Sequence, residues 1–210
     1  MLNRGYSAEM IFGLDIIQLI VTVRGMIAEV LFIQGVGEGA YEEDLLLASS
    51  LQKELGQDFK VTYPKMPDEV NAPYDAWKAQ IQKELNTALE SVILVGHSLG
   101  GSYLAKMLTE VKIDKPLGGI FLLEAPFWGG QGWLYEGYEE LELPRDAATK
   151  FPDGVKLFLY HARDDEIAPF NHLGLYSALL PQAIVREVEK GGHQLNNNLS
   201  VVARDIKELQ

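Results

Sequence analysis

Short, mainly apolar runs alternate along this chain with longer stretches whose apolar residues return every three or four positions. The runs fall at residues 30–33, 59–63, 92–95, 119–123, 155–160 and 183–188, each about the length of a strand buried on both faces. Between them the spacing predicts helices. One covers 41–55, with Leu45, Leu46, Leu51 and Leu55 on its apolar stripe and Gly56 as its stop. A second opens at Pro73 and buries Trp77, Ile81, Leu85 and Leu89. Others are expected over 102–111, 170–180 and 195–209. Strands and helices in strict alternation imply an α/β fold, a three-layer α/β/α sandwich around a mainly parallel sheet of about six strands.

Two stretches do not fit this rhythm. Residues 1–25 contain an apolar segment, 11–23, that Asp15 and Gln18 interrupt and that falls short of a bilayer span. Of the features of a secretory leader, only Arg4 and part of the apolar centre are present. It is read as an extra strand or helix packed on the domain, or as an extension ahead of a domain covering 26–210, and a chain beginning at Met26 is expected to fold and keep its activity. Residues 127–150 are rich in Gly, Trp and Tyr with an acidic run, as expected of a short cap or loop over the sheet edge.

Composition narrows the function. The chain has 210 residues, enough for one domain with a sizeable core and cramped for two. Eighteen basic against 30 acidic residues give a net charge of -12, which repels phosphate backbones and anionic membranes, so nucleic acid is not an expected partner. There is no cysteine, hence no disulfide, thiolate metal site or cysteine nucleophile. With no clear leader and no membrane span, a cytoplasmic location is expected.

The third apolar run leads directly into Gly96, His97, Ser98, Leu99 and Gly100. A G-x-S-x-G between strand and helix is a nucleophile elbow: the turn is sharp, the serine is held in a strained conformation, and only glycine fits two positions to either side. The turn exposes the Ser98 hydroxyl and leaves the Leu99 amide at a helix start, where unpaired N–H groups stabilise a developing oxyanion. The plainer alternative is a glycine-rich turn whose serine only caps the helix.

A serine hydroxyl needs a base, and at neutral pH an imidazole is the suitable one. Of four histidines, His97 sits inside the elbow and is expected to pack behind it. His161 ends a strand and is expected to brace the following loop, and His172 lies in a helical pattern. His193 follows Gly191 and Gly192 in a loop after the last strand, at the same sheet edge as Ser98, and is the expected base. The orienting acid is Asp165, which begins a D-x-x-x-P turn ending at Pro169; Asp164 and Glu124 are the alternatives. The second oxyanion donor belongs to the loop after the first strand and is assigned to the Val36 amide, with Gly35 as alternative. The same loop satisfies G-x-G-x-x-A from Gly35 to Ala40, a dinucleotide fingerprint, but the next strand ends in Thr62, Tyr63, Pro64 and Lys65, with no acid to hold a ribose.

Ser98, Asp165 and His193, in that order, resemble the α/β-hydrolase superfamily in a minimal form. Within it the chain is similar to small serine hydrolases of the retinoblastoma-binding protein type, through its Q-G-V-G loop, Lys65-Met66-Pro67-Asp68, the Asp164-Asp165 pair and Gly192-His193. It departs from them at Gln34 and in the Trp-rich segment 127–133. The reading is a serine hydrolase, an esterase rather than a peptidase, that cleaves a small-molecule ester, thioester or amide without metal or cofactor. Phe127, Trp128, Trp133 and Tyr135 are candidates for an apolar acyl pocket, or for aromatics that pack a loop onto the sheet. Because members of that type are also known as binding proteins, the alternative is a non-catalytic binding module. The sequence is silent on oligomeric state.

Overall fold

The computed structural model describes residues 28–88, 91–129 and 137–209. Six strands form one sheet: β1 (Ala28–Ile33), β2 (Phe59–Thr62), β3 (Val92–His97), β4 (Leu117–Leu123), β5 (Leu157–Ala162) and β6 (Ile184–Val188). Every neighbouring pair is parallel, in the order β2-β1-β3-β4-β5-β6.

Alternate residues of each strand face opposite layers. On one face Val30 and Phe32 pack with Leu47, Leu51 and Leu55 of α1 (Ala40–Leu55) and with Val202 and Ile206 of α6 (Ser200–Lys207). On the other, Leu31 and Ile33 pack with Trp77, Ile81 and Leu85 of α2 (Tyr74–Thr87) and Tyr103 and Leu104 of α3 (Leu99–Glu110). Tyr176 of α5 (Asn171–Leu179) joins that face. The result is the expected three-layer sandwich. The strand order reverses between β1 and β3, the position in such a sheet where the carboxyl ends of the strands commonly carry a site.

Four details differ from the sequence reading. The α1 stripe runs through Ala40, Asp44, Leu47, Ala48, Leu51 and Leu55, while Leu45 and Leu46 are 39% and 56% exposed. With four consecutive apolar residues at 45–48, periodicity alone leaves the register free, and the sheet face selects Leu47. The helix after the elbow begins at Leu99 without an intervening linker. β5 continues to Ala162, so His161 belongs to the strand. The closing helix is broken: a 3-10 turn at Leu195–Asn197 precedes α6, with Leu195, Asn196 and Asn197 all at positive φ. The Leu195 and Asn196 N–H groups donate back to the Gly192 and Gly191 carbonyls, which curls the loop instead of extending the helix. In the 127–150 region the described part contains a 3-10 turn (Glu139–Leu141) and α4 (Ala147–Lys150), anchored by buried Leu141, Leu143 and Ala147. Residues 1–25 and Leu89 lie outside the described residues.

Candidate active site

Ser98 stands between β3 and α3 at φ 52, ψ -130, a strained conformation for a residue with a side chain. The neighbouring glycines make that turn possible. A Cβ on Gly96 would lie 2.7 Å from the Gly101 Cα, and one on Gly100 would lie 2.1 Å from the Gln34 carbonyl oxygen. The turn is therefore pressed against both α3 and the loop after β1.

The Ser98 Oγ lies 2.9 Å from His193 Nε2, and His193 Nδ1 donates to Asp165 Oδ2 at 2.8 Å. The strands β3, β5 and β6 thus deliver three side chains, 28 and 95 positions apart in sequence, into one hydrogen-bonded chain. Asp165 Oδ1 also accepts the Ile167 and Ala168 N–H groups at 2.7 and 2.9 Å, which locks the turn ahead of Pro169. Burial opposes the charge on Asp165, but hydrogen bonds from His161, His193 and Glu124 outweigh it and hold the carboxyl far below the usual carboxylate range.

The two other candidate acids occupy supporting positions. Asp164 Oδ1 accepts the Gly191 and Gly192 N–H groups at 2.8 and 2.9 Å and so caps the loop that carries His193. Glu124, fully buried and at φ 49, accepts the Ala162 N–H with both oxygens and stands behind Asp165. Burial, then the hydrogen bond and negative charge of Asp165, push the Glu124 carboxyl up to about 10, so it is a neutral acid at pH 7.

His161 does brace the loop: its Nε2–H donates to the Ala168 carbonyl at 2.9 Å. Glu124, His161 and Asp165 place ligand-type atoms within 4.8 Å of one another. Because His161 Nε2 carries a proton toward Ala168 and Asp165 is committed to His193, this donor set is arranged as a hydrogen-bond network, and we assign it no metal.

The loop after β1 lies against the nucleophile, since a Cβ on Gly35 would come 3.1 Å from the Ser98 Cβ. Gly35 N–H donates to Asp44 Oδ2 at 2.7 Å, and Gly37 N–H donates to the Glu69 carbonyl at 2.8 Å. The amide between them, Val36, and the Leu99 amide have no hydrogen-bond partner among the described residues. Glu69 also receives the Gln34 side-chain amide, while Gln34 Oε1 accepts the Met66 N–H.

Three residues around this centre were not singled out from the sequence: Asp44, Glu166 and Gln194. Asp44 is 1% exposed and accepts His97 Nδ1–H at 2.8 Å; it lies on the buried stripe of α1, whose register the sequence left open. Glu166 Oε2 accepts the His193 backbone N–H at 3.1 Å, and Gln194 Nε2 donates to Asp44 Oδ1 at 3.1 Å.

Of the aromatic candidates, Trp128 is only 5% exposed and packs on Tyr138, with ring centroids 5.1 Å apart. Phe127 is half-buried, edge-on to Tyr176 at 5.0 Å, and its N–H donates to His172 Nδ1 at 2.9 Å. Burial lowers His172 to a pKa of about 4, so it is a neutral acceptor inside the fold. Trp133 and Tyr135 lie outside the described residues. A cavity of about 530 Å³ lined by Leu108, Pro116 and Val155 opens at the amino ends of the strands, on the edge opposite Ser98.

The serine hydrolase family profile matches residues 47–198. No curated protein matches the sequence. Among solved structures, the ydeN gene product of B. subtilis is 18% identical over 87% of this chain and 98% of its own, with a TM-score of 0.63. The esterase EaEST of Exiguobacterium antarcticum is 14% identical over 88% and 92%, with a TM-score of 0.65. Est1E of Butyrivibrio proteoclasticus, solved with ferulic acid bound, is 12% identical over 88% of both chains, with a TM-score of 0.62. At these identities the likeness establishes a shared fold. Among the described residues, no helix is long and apolar enough to cross a membrane.

Proposed function

The chain belongs to the serine hydrolase family, and on that premise we propose that it cleaves a small ester, thioester or amide through an acyl-enzyme on Ser98. The observation that carries this reading is the unbroken chain from Ser98 Oγ through His193 to Asp165, at 2.9 and 2.8 Å. Ser98 Oγ attacks the carbonyl carbon as His193 Nε2 takes its proton. Asp165 holds the His193 Nδ1–H, fixing the tautomer and stabilising the imidazolium that forms. The Val36 and Leu99 N–H groups receive the oxyanion, a role their unoccupied state supports. The tetrahedral intermediate collapses as His193 returns the proton to the leaving oxygen, sulfur or nitrogen. Water then adds to the acyl carbon as His193 takes its proton, and the second tetrahedral intermediate collapses: the bond from the carbon to Ser98 Oγ breaks, His193 returns the proton to that oxygen, and the acid leaves.

The substrate is small in this account because the cap segment is short. Of the described candidates, Phe127 has part of its surface free to line an acyl pocket, whereas Trp128 is buried against Tyr138. An esterase is favoured over a peptidase for the same reason. The narrower kinship with hydrolases of the retinoblastoma-binding protein type rests on the Q-G-V-G loop, Asp164-Asp165 and Gly192-His193. The test is hydrolysis of p-nitrophenyl esters of increasing acyl length, with Ser98→Ala as background. Turnover of the short esters that vanishes in Ser98→Ala is expected, and equal rates in the two proteins would overturn the reading.

A further inference from the structure

Behind the Ser98 centre lies a second histidine and carboxylate, and neither has a part in the steps above. His97 is 1% exposed, and each of its ring nitrogens has a single close partner. Nδ1 lies 2.8 Å from Asp44 Oδ2, and Nε2 lies 2.9 Å from the carbonyl oxygen of His193. A carbonyl only accepts. Asp44 also behaves as an acceptor, because Oδ2 already takes the Gly35 N–H and Oδ1 takes the Gln194 amide.

Both bonds exist together only if both ring nitrogens carry protons. A neutral imidazole would turn a lone pair toward one of these oxygens and leave a net negative charge buried with Asp44. The doubly protonated ring cancels that charge. Burial alone would push His97 down and Asp44 up. The mutual charge attraction and the hydrogen bonds, from Gly35 and Gln194 to Asp44 and from His97 to the His193 carbonyl, reverse both directions.

The pair touches the loops that carry Val36 and His193. Through Gly35 it holds the loop that carries Val36, and through Gln194 and the His193 carbonyl it holds the base loop. His97 itself is joined to Ser98 by one peptide bond. The His193 backbone is thus gripped at its N–H by Glu166 and at its carbonyl by His97. Resting on the proposed acyl transfer, we infer that His97, doubly protonated on Asp44, is a positioning residue that fixes the oxyanion loop and the His193 loop against Ser98.

The experiment combines nitrogen-15 NMR of the histidine rings with kinetics of wild type and Asp44→Asn on p-nitrophenyl acetate. The variant is expected to fold, because His97 can shed its extra proton and keep the buried pair neutral. At pH 7.5 the wild-type His97 ring should show two N–H protons and the variant ring one. The variant kcat should fall roughly ten- to a hundredfold from loop misplacement, with KM within about threefold. The groups facing His97 are Asp44 from α1, with Tyr63 behind it, and Asp165 and His193 from the loops after β5 and β6. Of these only Asp44 is changed. Acidification restores the His97 proton in the variant, so the ratio of wild-type to variant kcat should shrink between pH 8 and 6. A passive packing role would give a constant ratio.

A single ring proton on wild-type His97, an undiminished kcat in the variant, or a pH-independent deficit each overturns the inference. If the variant does not fold, the wild-type NMR spectrum still decides the protonation state on which the inference stands. Two ring protons on His97 in a protein that turns over no ester would refute the proposed function and leave the buried ion pair in place.

Discussion

Glu124 and Asp165 are two carboxyls in one buried site, and they divide the protonation states between them. Asp165 keeps its charge because His193 and two backbone amides donate to it and the His161 ring nitrogen lies 3.4 Å away, and Glu124 keeps its proton because the charge of Asp165 stands beside it in a dry site. Position along the sheet decides which of them serves the histidine. Glu124 follows β4, whereas Asp165 follows β5 and reaches His193 Nδ1.

Glu124→Gln should therefore preserve the fold. The unfolded chain releases the Glu124 proton near 4.5 and the folded chain near 10, so between these values only the folded state binds it, and stability falls as pH rises. Gln carries no such slope. The stability of wild type minus that of Glu124→Gln, from urea unfolding at pH 5, 7 and 9, should decrease by at least ~1 kcal/mol over the range. A constant difference would place an ionised Glu124 in the folded protein.

Asp165 and Asp164 should separate cleanly. Asp165→Asn removes the acceptor that fixes the His193 tautomer and should lower kcat by roughly two to four orders of magnitude. In Asp164→Asn the single oxygen that accepts both Gly191 and Gly192 N–H groups survives, so the loss should stay below about tenfold. Comparable losses in steady-state assays of the two variants would mean that the loop cap matters as much as the orienting acid.

Glycines with opposite surroundings give a stability test. At Gly100 an added methyl would meet two carbonyl oxygens of the backbone, at 2.1 and 2.7 Å, and Gly100→Ala should cost more than ~3 kcal/mol or prevent folding. At Gly174, inside α5, nothing lies within 4 Å, so Gly174→Ala should raise stability by about 0.5–1 kcal/mol. Thermal unfolding of the two proteins checks both signs.

Much of this architecture was legible in the chain because its causes are local. Mainly apolar runs located the six strands, unbroken at β3 and mixed with polar residues at β2 and β6, and Gly96 and Gly100 located the elbow, since no other residue fits there. The order of Ser98, Asp165 and His193 then brought the site to one sheet edge. What remained hidden depends on contacts distant in sequence. The register of α1 needed the sheet to choose Leu47 over Leu46, and the break at residues 195–197 arises from bonds back to Gly191 and Gly192. The roles of Asp44 and Glu166 are set by partners 53 and 27 positions away. No spacing rule within one helix or loop reports such pairs.

The central claim is that Ser98 is a nucleophile activated by His193, and reaction with a fluorophosphonate tests it most directly. The folded wild-type protein should take up one phosphonyl group per chain, mapped by mass spectrometry to Ser98, and Ser98→Ala should take up none. A folded wild-type protein that is not labelled, or a Ser98→Ala protein labelled equally well, would contradict the account.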